Sequence, residues 1–364
     1  MDYYNKELQA LKRAGRFRSR ELSDAACKDF ASNDYLGLAH NKQLHSVTCN
    51  ILSQQELHAS KASLLVNGYH QIHKDFEDAL CEANGFEAGV VVGSGFNANI
   101  ALIESLVRKG DRLFMDELYH ASGVLATNLE HVDVTFFKHN DMQELENLLQ
   151  KSDAKRNIIA VEGIYSMDGD LCDKEVFTIA KRYDAILIVD EAHSSGVVGD
   201  DLMGVYDLYG VAIEPNHIKM GTLGKAYGSF GAYILASAHI VEYLLNRAKP
   251  LIYATSLSLY DTLLAHQALK YILANKEDLK DAIQTRHKIV KEVFGLDVDG
   301  LIVPIAIGDN KRVLQIKEQL LKEGYAIGAI RQPTVKRAIL RIIARLHESS
   351  KSFEVLCQRV RELV

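Results

Sequence analysis

Short apolar runs alternate with segments of helical periodicity along most of the chain. The run at residues 185–189, AILIV, is apolar throughout, which is typical of a central parallel strand buried on both faces. Repeated alternation of this kind predicts an α/β fold with a mainly parallel sheet. Further strands are predicted at the start of residues 89–100 and at 132–137, 157–161 and 232–236, and helices at 3–14, about 40–58, 142–149 and 174–183.

The regular alternation of strands and helices ends after Lys225. Residues 240–274 are strongly helical, and residues 300–364 mix short strands with helices. This change predicts a second, smaller α+β unit. We therefore divide the chain into an N-terminal arm at 1–40, a large domain at 41–277 and a small C-terminal domain at 278–364.

Polar residues follow the predicted strands. The glycines of 93–95 and the side chains of His120, Ser166, Asp190 and His193 each come directly after an apolar run. Ligands of parallel α/β sheets gather at the carboxyl ends of the strands. We therefore expect these residues to meet at one site.

A glycine-rich run surrounds Lys225 in the segment IKMGTLGKAYGSFGAYI at 218–234. Glycines allow a backbone to turn tightly or to approach a ligand. A lysine held there can form a Schiff base when burial or a neighbouring cation lowers its pKa. The alternative interpretation is a glycine-rich turn that carries a surface lysine.

Two motifs allow other interpretations. Gly93, Gly95 and Ala98 fit the dinucleotide fingerprint, with Asp116 as its acidic residue, so an NAD-binding dehydrogenase is an alternative. The same pattern also describes a phosphate cradle at a helix N-terminus. Residues 190–193 spell DEAH, but a helicase needs a phosphate loop in which a hydroxyl residue follows the lysine. Ala226 follows Lys225, and no such loop occurs elsewhere.

The charge and cysteine content exclude several classes. The 364 residues carry a net charge of -6, which disfavours a nucleic-acid or membrane-surface protein. The five cysteines are scattered without a CxxC pair, so we expect free thiols in a reducing cytoplasm and no metal site. The basic residues Arg13, Arg16, Arg18 and Arg20 form either a solvated arm or a contact for an anionic ligand or partner.

Seven segments together resemble the α-oxoamine synthase family. They are SNDYLGL at 32–38, GSGFNAN at 93–99, LYHAS at 118–122, EGIYSMDGD at 162–170, VDEAHSSGVVG at 189–199, GTLGKAYGSFGAY at 221–233 and YATS at 253–256. The resemblance implies a fold-type I pyridoxal phosphate-dependent transferase that works as a homodimer with shared active sites. The segment at 58–68 differs from the family, because no glycine precedes Gly68.

The resemblance also implies residue roles. Lys225 would hold the cofactor as a Schiff base, Asp190 would pair with its ring nitrogen, His193 would bond its phenolic oxygen and His120 would stack on its ring, which makes these four the catalytic set. Further cofactor contacts are implied for Gly95, Phe96, Ser166, Thr222 and, from the partner subunit, Thr255. Substrate contacts are implied for Arg18, His120, Thr334 and Arg341.

The segment AIGAIRQPTVKRAILRI at 326–342 resembles the alanine-using branch of the family. That branch condenses L-alanine with pimeloyl-CoA or a pimeloyl-acyl-carrier protein and releases CO2, in biotin biosynthesis. The alternative within the family is a glycine C-acetyltransferase. A non-catalytic subunit is a further alternative, which the presence of Lys225, Asp190 and His193 disfavours.

Overall fold

The computed structural model describes residues 2–14, 16–18, 20, 22, 24, 26–128 and 132–364. The described strands are β1 Lys28–Phe30, β2 Ala88–Val92, β3 Arg112–Asp116, β4 Val134–Phe137, β5 Asn157–Glu162, β6 Ile186–Asp190, β7 His217–Thr222, β8 Ala232–Ala236, β9 Ile302–Gly308, β10 Tyr325–Ile330 and β11 Ala338–Ile343. The helices are α1 Asp2–Arg13, α2 Lys42–Ser53, α3 Gln71–Asn84, α4 Gly95–Leu106, α5 Ala121–Ala126, α6 Met142–Gln150, α7 Glu175–Arg182, α8 Val205–Leu208, α9 Ala238–Arg247, α10 Lys249–Ile252, α11 Leu259–Ala274, α12 Lys276–Phe294, α13 Asn310–Lys322 and α14 Ser350–Leu363.

The large sheet has seven strands in the order β2-β8-β7-β6-β5-β3-β4. Strands β7, β6, β5, β3 and β4 are parallel, whereas β8 is antiparallel to both of its neighbours. The predicted α/β fold with a mainly parallel sheet is therefore confirmed. The carboxyl ends of the five parallel strands lie along one edge, which is where the polar residues were expected to meet.

The position of β6 in the middle of the sheet explains why its residues up to Val189 are all apolar instead of alternating between apolar and polar. Successive side chains of a strand point to opposite faces of the sheet. Leu187 and Val189 belong to the hydrophobic cluster on one face, and Ile188 belongs to the cluster on the other. Both faces are covered, so polar residues are excluded until the strand ends at Asp190.

The smaller sheet has four strands in the order β1-β10-β11-β9. Its edge strand β1 comes from the N-terminus and pairs in parallel with β10, with Phe30 opposite Ile327. Arg345, which is 1% exposed, strengthens this connection through bonds to Asp29 Oδ2 at 2.5 Å and Asp34 Oδ2 at 2.6 Å. The division into domains remains a prediction, and its boundary at 277/278 lies within α12.

Two predicted helical segments differ in extent from the observed helices. The segment at 40–58 is α-helical only over α2, which ends at Ser53, and His40 ends a short 3-10 turn at Leu38–His40. The segment at 240–274 contains three helices, because Ala248 adopts an extended backbone between α9 and α10. Pro250, which has no N–H to donate, lies in the first turn of α10. No helix in the described ranges is long and apolar enough to cross a membrane.

Candidate active site

Lys225 lies in the loop between β7 and β8. Gly228 closes the turn, since its N–H donates to the Lys225 carbonyl at 2.9 Å. Its φ of +60° and the position of Ala39 N, 2.4 Å from where a Cβ would be, both require glycine there. The loop therefore presses against the backbone after Leu38 and directs the lysine inward, with Nζ 2.7 Å from His193 Nε2.

His193 links Lys225 to the N-terminal segment. Its Nδ1 lies 2.5 Å from the Tyr35 hydroxyl, and the side chain is buried. Burial holds the pKa of His193 well below its ordinary value, and the charges of Lys225 and Arg341 lower it further. The imidazole is therefore neutral and contacts one polar group on each side.

Asp190 is the end of β6 and is 4% exposed. Its carboxylate accepts hydrogen bonds from Asn99 Nδ2 at 2.9 Å and from the Ala192 N–H at 3.0 Å. Asn99 is itself fixed by Tyr119, whose hydroxyl donates to Asn99 Oδ1 at 2.7 Å. Both hydrogen-bonding partners of the carboxylate are neutral amides, so a cation beside it would be strongly favoured.

Lys225 has an unusual acidity for a lysine. Burial is the largest cause and lowers its pKa to about 8; the negative charges of Asp190 and Glu162 oppose this, whereas Arg341 adds to it. A large neutral fraction near neutral pH is what an amine nucleophile or base requires. The alternative of a solvated surface lysine does not fit this environment.

These side chains surround a cavity of about 180 Å³. It is lined by Gly95, Phe96, Asn99, His120, Glu162, Asp190, Ala192, His193, Met220, Thr222 and Lys225. Helix α4 begins here, capped by Ser94, and a Cβ on Gly95 would lie 3.8 Å from Thr222. The first turn of α4 thus offers free N–H groups to an anion. The glycine-rich segment at 93–98 and Lys225 border the same cavity. The dehydrogenase interpretation gives no role to a lysine there.

Glu162 contributes an unsatisfied polar atom to the same cavity. It is 1% exposed; Oε2 accepts the Ser166 N–H at 3.1 Å, whereas Oε1 has no partner among the described residues. Burial and, next, the charge of Asp190 raise the pKa of Glu162 well above its ordinary value. A bound group that donates or accepts a hydrogen bond would satisfy this carboxyl.

A second, larger cleft of about 1060 Å³ adjoins His120. Ser166 and Thr334 line it, together with apolar side chains that include Leu125 and Val335. Arg341, which is 6% exposed, lies behind it and donates from Nε to the Ser166 carbonyl at 2.7 Å and from Nη1 to Asn33 Oδ1 at 2.9 Å. Arg341 also lies beside the Tyr35 hydroxyl, and its charge and hydrogen bond oppose the effect of burial on the pKa of that group.

The structure brings together most of the predicted site residues. His120, Asp190, His193, Lys225, Gly95, Phe96 and Thr222 border the small cavity, and Ser166 and Thr334 border the adjoining cleft. Two residues are not brought together with them, because Arg18 and Thr255 are both exposed and line neither space. Their roles stay predictions. Among the described residues, no cluster of His, Cys, Asp and Glu has the arrangement of a metal site.

Sequence reasoning assigned no role to four residues that the structure places at the site. They are Asn33, Tyr35, Asn99 and Glu162. Each lies within a segment that carried the family resemblance, so the signal was present. Their contacts depend on long-range pairing, such as that of Tyr35 with His193, which spacing along the chain does not reveal.

Comparison with known proteins agrees with this geometry. Residues 26–360 match the family Aminotransferase class I and II. The 8-amino-7-oxononanoate synthase of Helicobacter pylori (strain ATCC 700392 / 26695) is 41% identical over 95% of this chain and 93% of its own. The putative 8-amino-7-oxononanoate synthase of Aquifex aeolicus (strain VF5) is 39% identical over 98% of this chain and 97% of its own.

Solved structures confirm the fold. A serine palmitoyltransferase K265A variant from S. paucimobilis, with a bound PLP-myriocin aldimine, superposes with a TM-score of 0.88 at 22% identity, over 100% of this chain and 96% of that one. An 8-amino-7-oxononanoate synthase from Francisella tularensis gives a TM-score of 0.75 at 25% identity, over 93% of this chain and 99% of that one. The chain therefore has the fold of a fold-type I transferase and belongs to the Aminotransferase class I and II family, among the α-oxoamine synthases and with relatives named 8-amino-7-oxononanoate synthase.

Proposed function

We propose that this protein is a pyridoxal phosphate-dependent 8-amino-7-oxononanoate synthase of biotin biosynthesis. It would condense L-alanine with a pimeloyl thioester and release CO2 and free thiol. The observation that carries the proposal is the cavity in which Lys225, with its pKa near 8, lies among His193, Asp190 and Glu162. The relatives of that name, which align over nearly the whole chain, support the choice of reaction.

The residues of the cavity fit pyridoxal phosphate. Asp190 supplies the anion that a protonated ring nitrogen needs, and the start of α4 with Thr222 supplies donors for a phosphate. Lys225 supplies the amine, and Glu162 retains an unsatisfied oxygen. Bound there, the cofactor would act as the electron sink that stabilises a carbanion.

The chain's own residues have separate tasks. Arg341 would bind the carboxylate of alanine through its guanidinium group, a charge-assisted contact. Lys225, as a neutral amine, would remove the α-proton and later return it. The new bond forms between Cα of alanine and the acyl carbonyl carbon as the carbon–sulfur bond breaks, and the thiolate takes a proton from solvent. The carboxylate then departs as CO2, and the proton held by Lys225 returns to Cα.

The larger cleft would take the acyl thioester. It adjoins the small cavity at His120, and its Leu125 and Val335 side chains suit an alkyl chain. Thr334 lies at its border and would contact the substrate. Arg18 would face the acyl end; Arg18→Ala should raise the KM for the thioester and leave the affinity for alanine unchanged.

We expect a homodimer in which Thr255 reaches the partner's phosphate site. The Ser256 N–H donates to the Ala62 carbonyl at 3.0 Å, which joins two segments that expose Tyr253 (79%), Val66 (78%) and Leu65 (50%). Such a surface suits a partner subunit. Tyr253→Asp should produce monomers in analytical ultracentrifugation, whereas a Tyr253→Asp dimer of unchanged stability would contradict this assignment.

Thiol release tests the reaction. Purified protein loaded with pyridoxal phosphate is given L-alanine with pimeloyl-CoA, L-alanine with a pimeloyl-acyl-carrier protein, or glycine with acetyl-CoA. The proposal expects release with alanine and one or both pimeloyl donors. Release only with glycine and acetyl-CoA would instead identify a glycine C-acetyltransferase.

Lys225→Ala provides the matched loss of function. This variant should lose both turnover and the visible absorbance of lysine-bound cofactor. Lys109→Ala, at an exposed position outside both cavities, should keep them. Full turnover by Lys225→Ala would refute the assignment of this lysine.

A further inference from the structure

Three side chains connect the ends of three neighbouring strands beside the candidate site. Strands β5, β3 and β4 are adjacent in the large sheet. Asp116 ends β3, His139 follows β4, and Asp170 lies in the turn after β5. His139 Nδ1 is 3.1 Å from Asp116 Oδ1, and His139 Nε2 is 2.7 Å from Asp170 Oδ2. We call these three residues the His139 network.

Both ring nitrogens of His139 act as donors. A neutral imidazole has one N–H, whereas here each nitrogen faces a carboxylate oxygen, so the ring carries both protons. Burial would lower the pKa of His139, but the bonds to Asp116 and Asp170 raise it to about 10. The Tyr165 ring packs edge-on against the imidazole, with centroids 4.3 Å apart. The imidazolium is therefore fixed in both position and orientation.

One end of the network holds the turn that leads to His120. Asp116 is fully buried, and its Oδ1 also accepts the Leu118 N–H at 2.8 Å. The Asp116 carbonyl accepts the Tyr119 N–H at 3.0 Å. The next residue, His120, caps α5 and borders both cavities. The orientation of the Asp116 carboxylate therefore fixes the backbone directly before His120.

The other end holds the turn that carries Ser166. The Asp170 carbonyl accepts the Tyr165 N–H at 3.0 Å, and the Tyr165 carbonyl accepts the Gly169 N–H at 2.9 Å. Ser166 lies within this closed turn. His139 bonds the Asp170 side chain, so the same imidazolium helps to hold the Ser166 turn against the His120 turn.

We propose that His139 is a positioning residue that sets the spacing between His120 and Ser166 across the cofactor and acyl sites. It borders the larger cleft but not the small cavity that contains Lys225, and we assign it an action through the two turns that Asp116 and Asp170 fix. The inference rests on the proposed function for what fills the cavities. Asn140 also joins the two turns, since its N–H donates to Asp116 Oδ2 at 3.0 Å and its Nδ2 to Asp170 Oδ2 at 3.2 Å, so loss of His139 loosens this connection without removing it.

The test compares three variants. His139→Phe keeps a flat ring beside Tyr165 but removes both donors, and His139→Gln keeps one donor. His287→Phe is the matched control, because His287 also has one ring bond, to the Gly300 carbonyl at 2.9 Å, in α12 away from the site. All three are first compared with the unchanged protein by far-ultraviolet circular dichroism and thermal unfolding.

Two readouts do not depend on turnover. The first is the dissociation constant for pyridoxal phosphate, from titration of apoprotein, together with the circular dichroism that the bound cofactor acquires. The second is amide hydrogen exchange in the apoprotein. For His139→Phe we expect about tenfold weaker cofactor binding, equivalent to about 1.4 kcal/mol. We also expect reduced cofactor dichroism and faster exchange at Leu118 and Tyr165, with His139→Gln intermediate.

The outcomes separate the two hypotheses. If the unchanged protein fails to bind pyridoxal phosphate, the proposed function fails, whereas exchange in the apoprotein still tests the network. If cofactor binding and exchange in His139→Phe match those of His287→Phe, the positioning role is wrong. If His139→Phe does not fold, His139→Gln decides, since a variant with one donor that behaves like the control would also overturn the proposal.

Discussion

The acidity of Lys225 can be measured directly. At pH 7.5 a lysine with a pKa of about 8 is about one quarter neutral, whereas at the ordinary value of 10.5 about one in a thousand molecules is neutral, a ratio of about 240. The structure attributes the change mainly to burial, with opposed contributions from its charged neighbours. Two variants therefore have opposite expected signs: Asp190→Asn should lower the pKa of Lys225 further, and Arg341→Met should raise it.

The assay follows acylation of Lys225 in the apoprotein. A small amine-reactive reagent is applied in short pulses from pH 6 to pH 11, and the modified peptides are quantified by mass spectrometry. The pKa is taken from the midpoint of the pH profile rather than from the rate, because burial also slows access of the reagent. The peptide that contains the exposed Lys109 provides the reference in the same sample.

A profile for Lys225 that superposes on that of Lys109 would refute the burial argument. A midpoint that rises in Asp190→Asn, or falls in Arg341→Met, would refute the assignment of the neighbouring charges even if the midpoint of the unchanged protein is near 8. Agreement in sign for both variants would identify the electrostatic origin of the reactive amine.

Three further predictions concern groups outside the reacting centre. Lys219→Met should destabilise the protein by about 3–5 kcal/mol in urea unfolding, because it leaves the fully buried Glu191 without the Lys219 Nζ cation, 3.7 Å from its Oε1. The double variant with Glu191→Gln should lose less stability than the sum of the two single changes. Arg345→Leu should cost less than Lys219→Met in the same assay, since the Asp34 side chain that loses its cation is 11% exposed and that of Asp29 is 37% exposed. In the folded protein the pKa of His139 is raised to about 10, so its contribution to stability is complete below about pH 6.5 and is lost as the pH rises through 10. The difference in unfolding free energy between the unchanged protein and His139→Gln should therefore shrink from about pH 6.5 to about pH 10.

The sequence predicted the large sheet well because each central strand has a distinctive pattern. β8 has the predicted bounds, and β6 differs by one residue at each end. The antiparallel insertion of β8 between β2 and β7 was not predictable in this way, because a strand buried on both faces looks the same in either direction. The pairing of β1 with β10 joins the two ends of the chain, and no local pattern encodes it.

The candidate site shows the same division between local and distant information. Lys225, Asp190 and His193 were predictable because glycine-rich turns and strand ends mark them in the sequence. The His139 network was not predicted, since its three members follow three different strands. Asp116 was considered only as the acidic residue of a dinucleotide motif. In the structure its carboxylate accepts hydrogen bonds from the N–H groups of Leu118 and Asn140 and bonds His139, so Asp116 stabilises the backbone at the strand ends.

The two sheets share the site through the N-terminal segment. β1 belongs to the smaller sheet, yet Asn33 and Tyr35, which follow it, reach Arg341 and His193. Arg341 lies on β11 of the smaller sheet, whereas His193 follows β6 of the large one. A shift of the smaller sheet would therefore move Arg341 and the Tyr35 contact together. We therefore expect a ligand bound at Arg341 to affect the hydrogen bond at His193, and through it Lys225, through the backbone of residues 33–35.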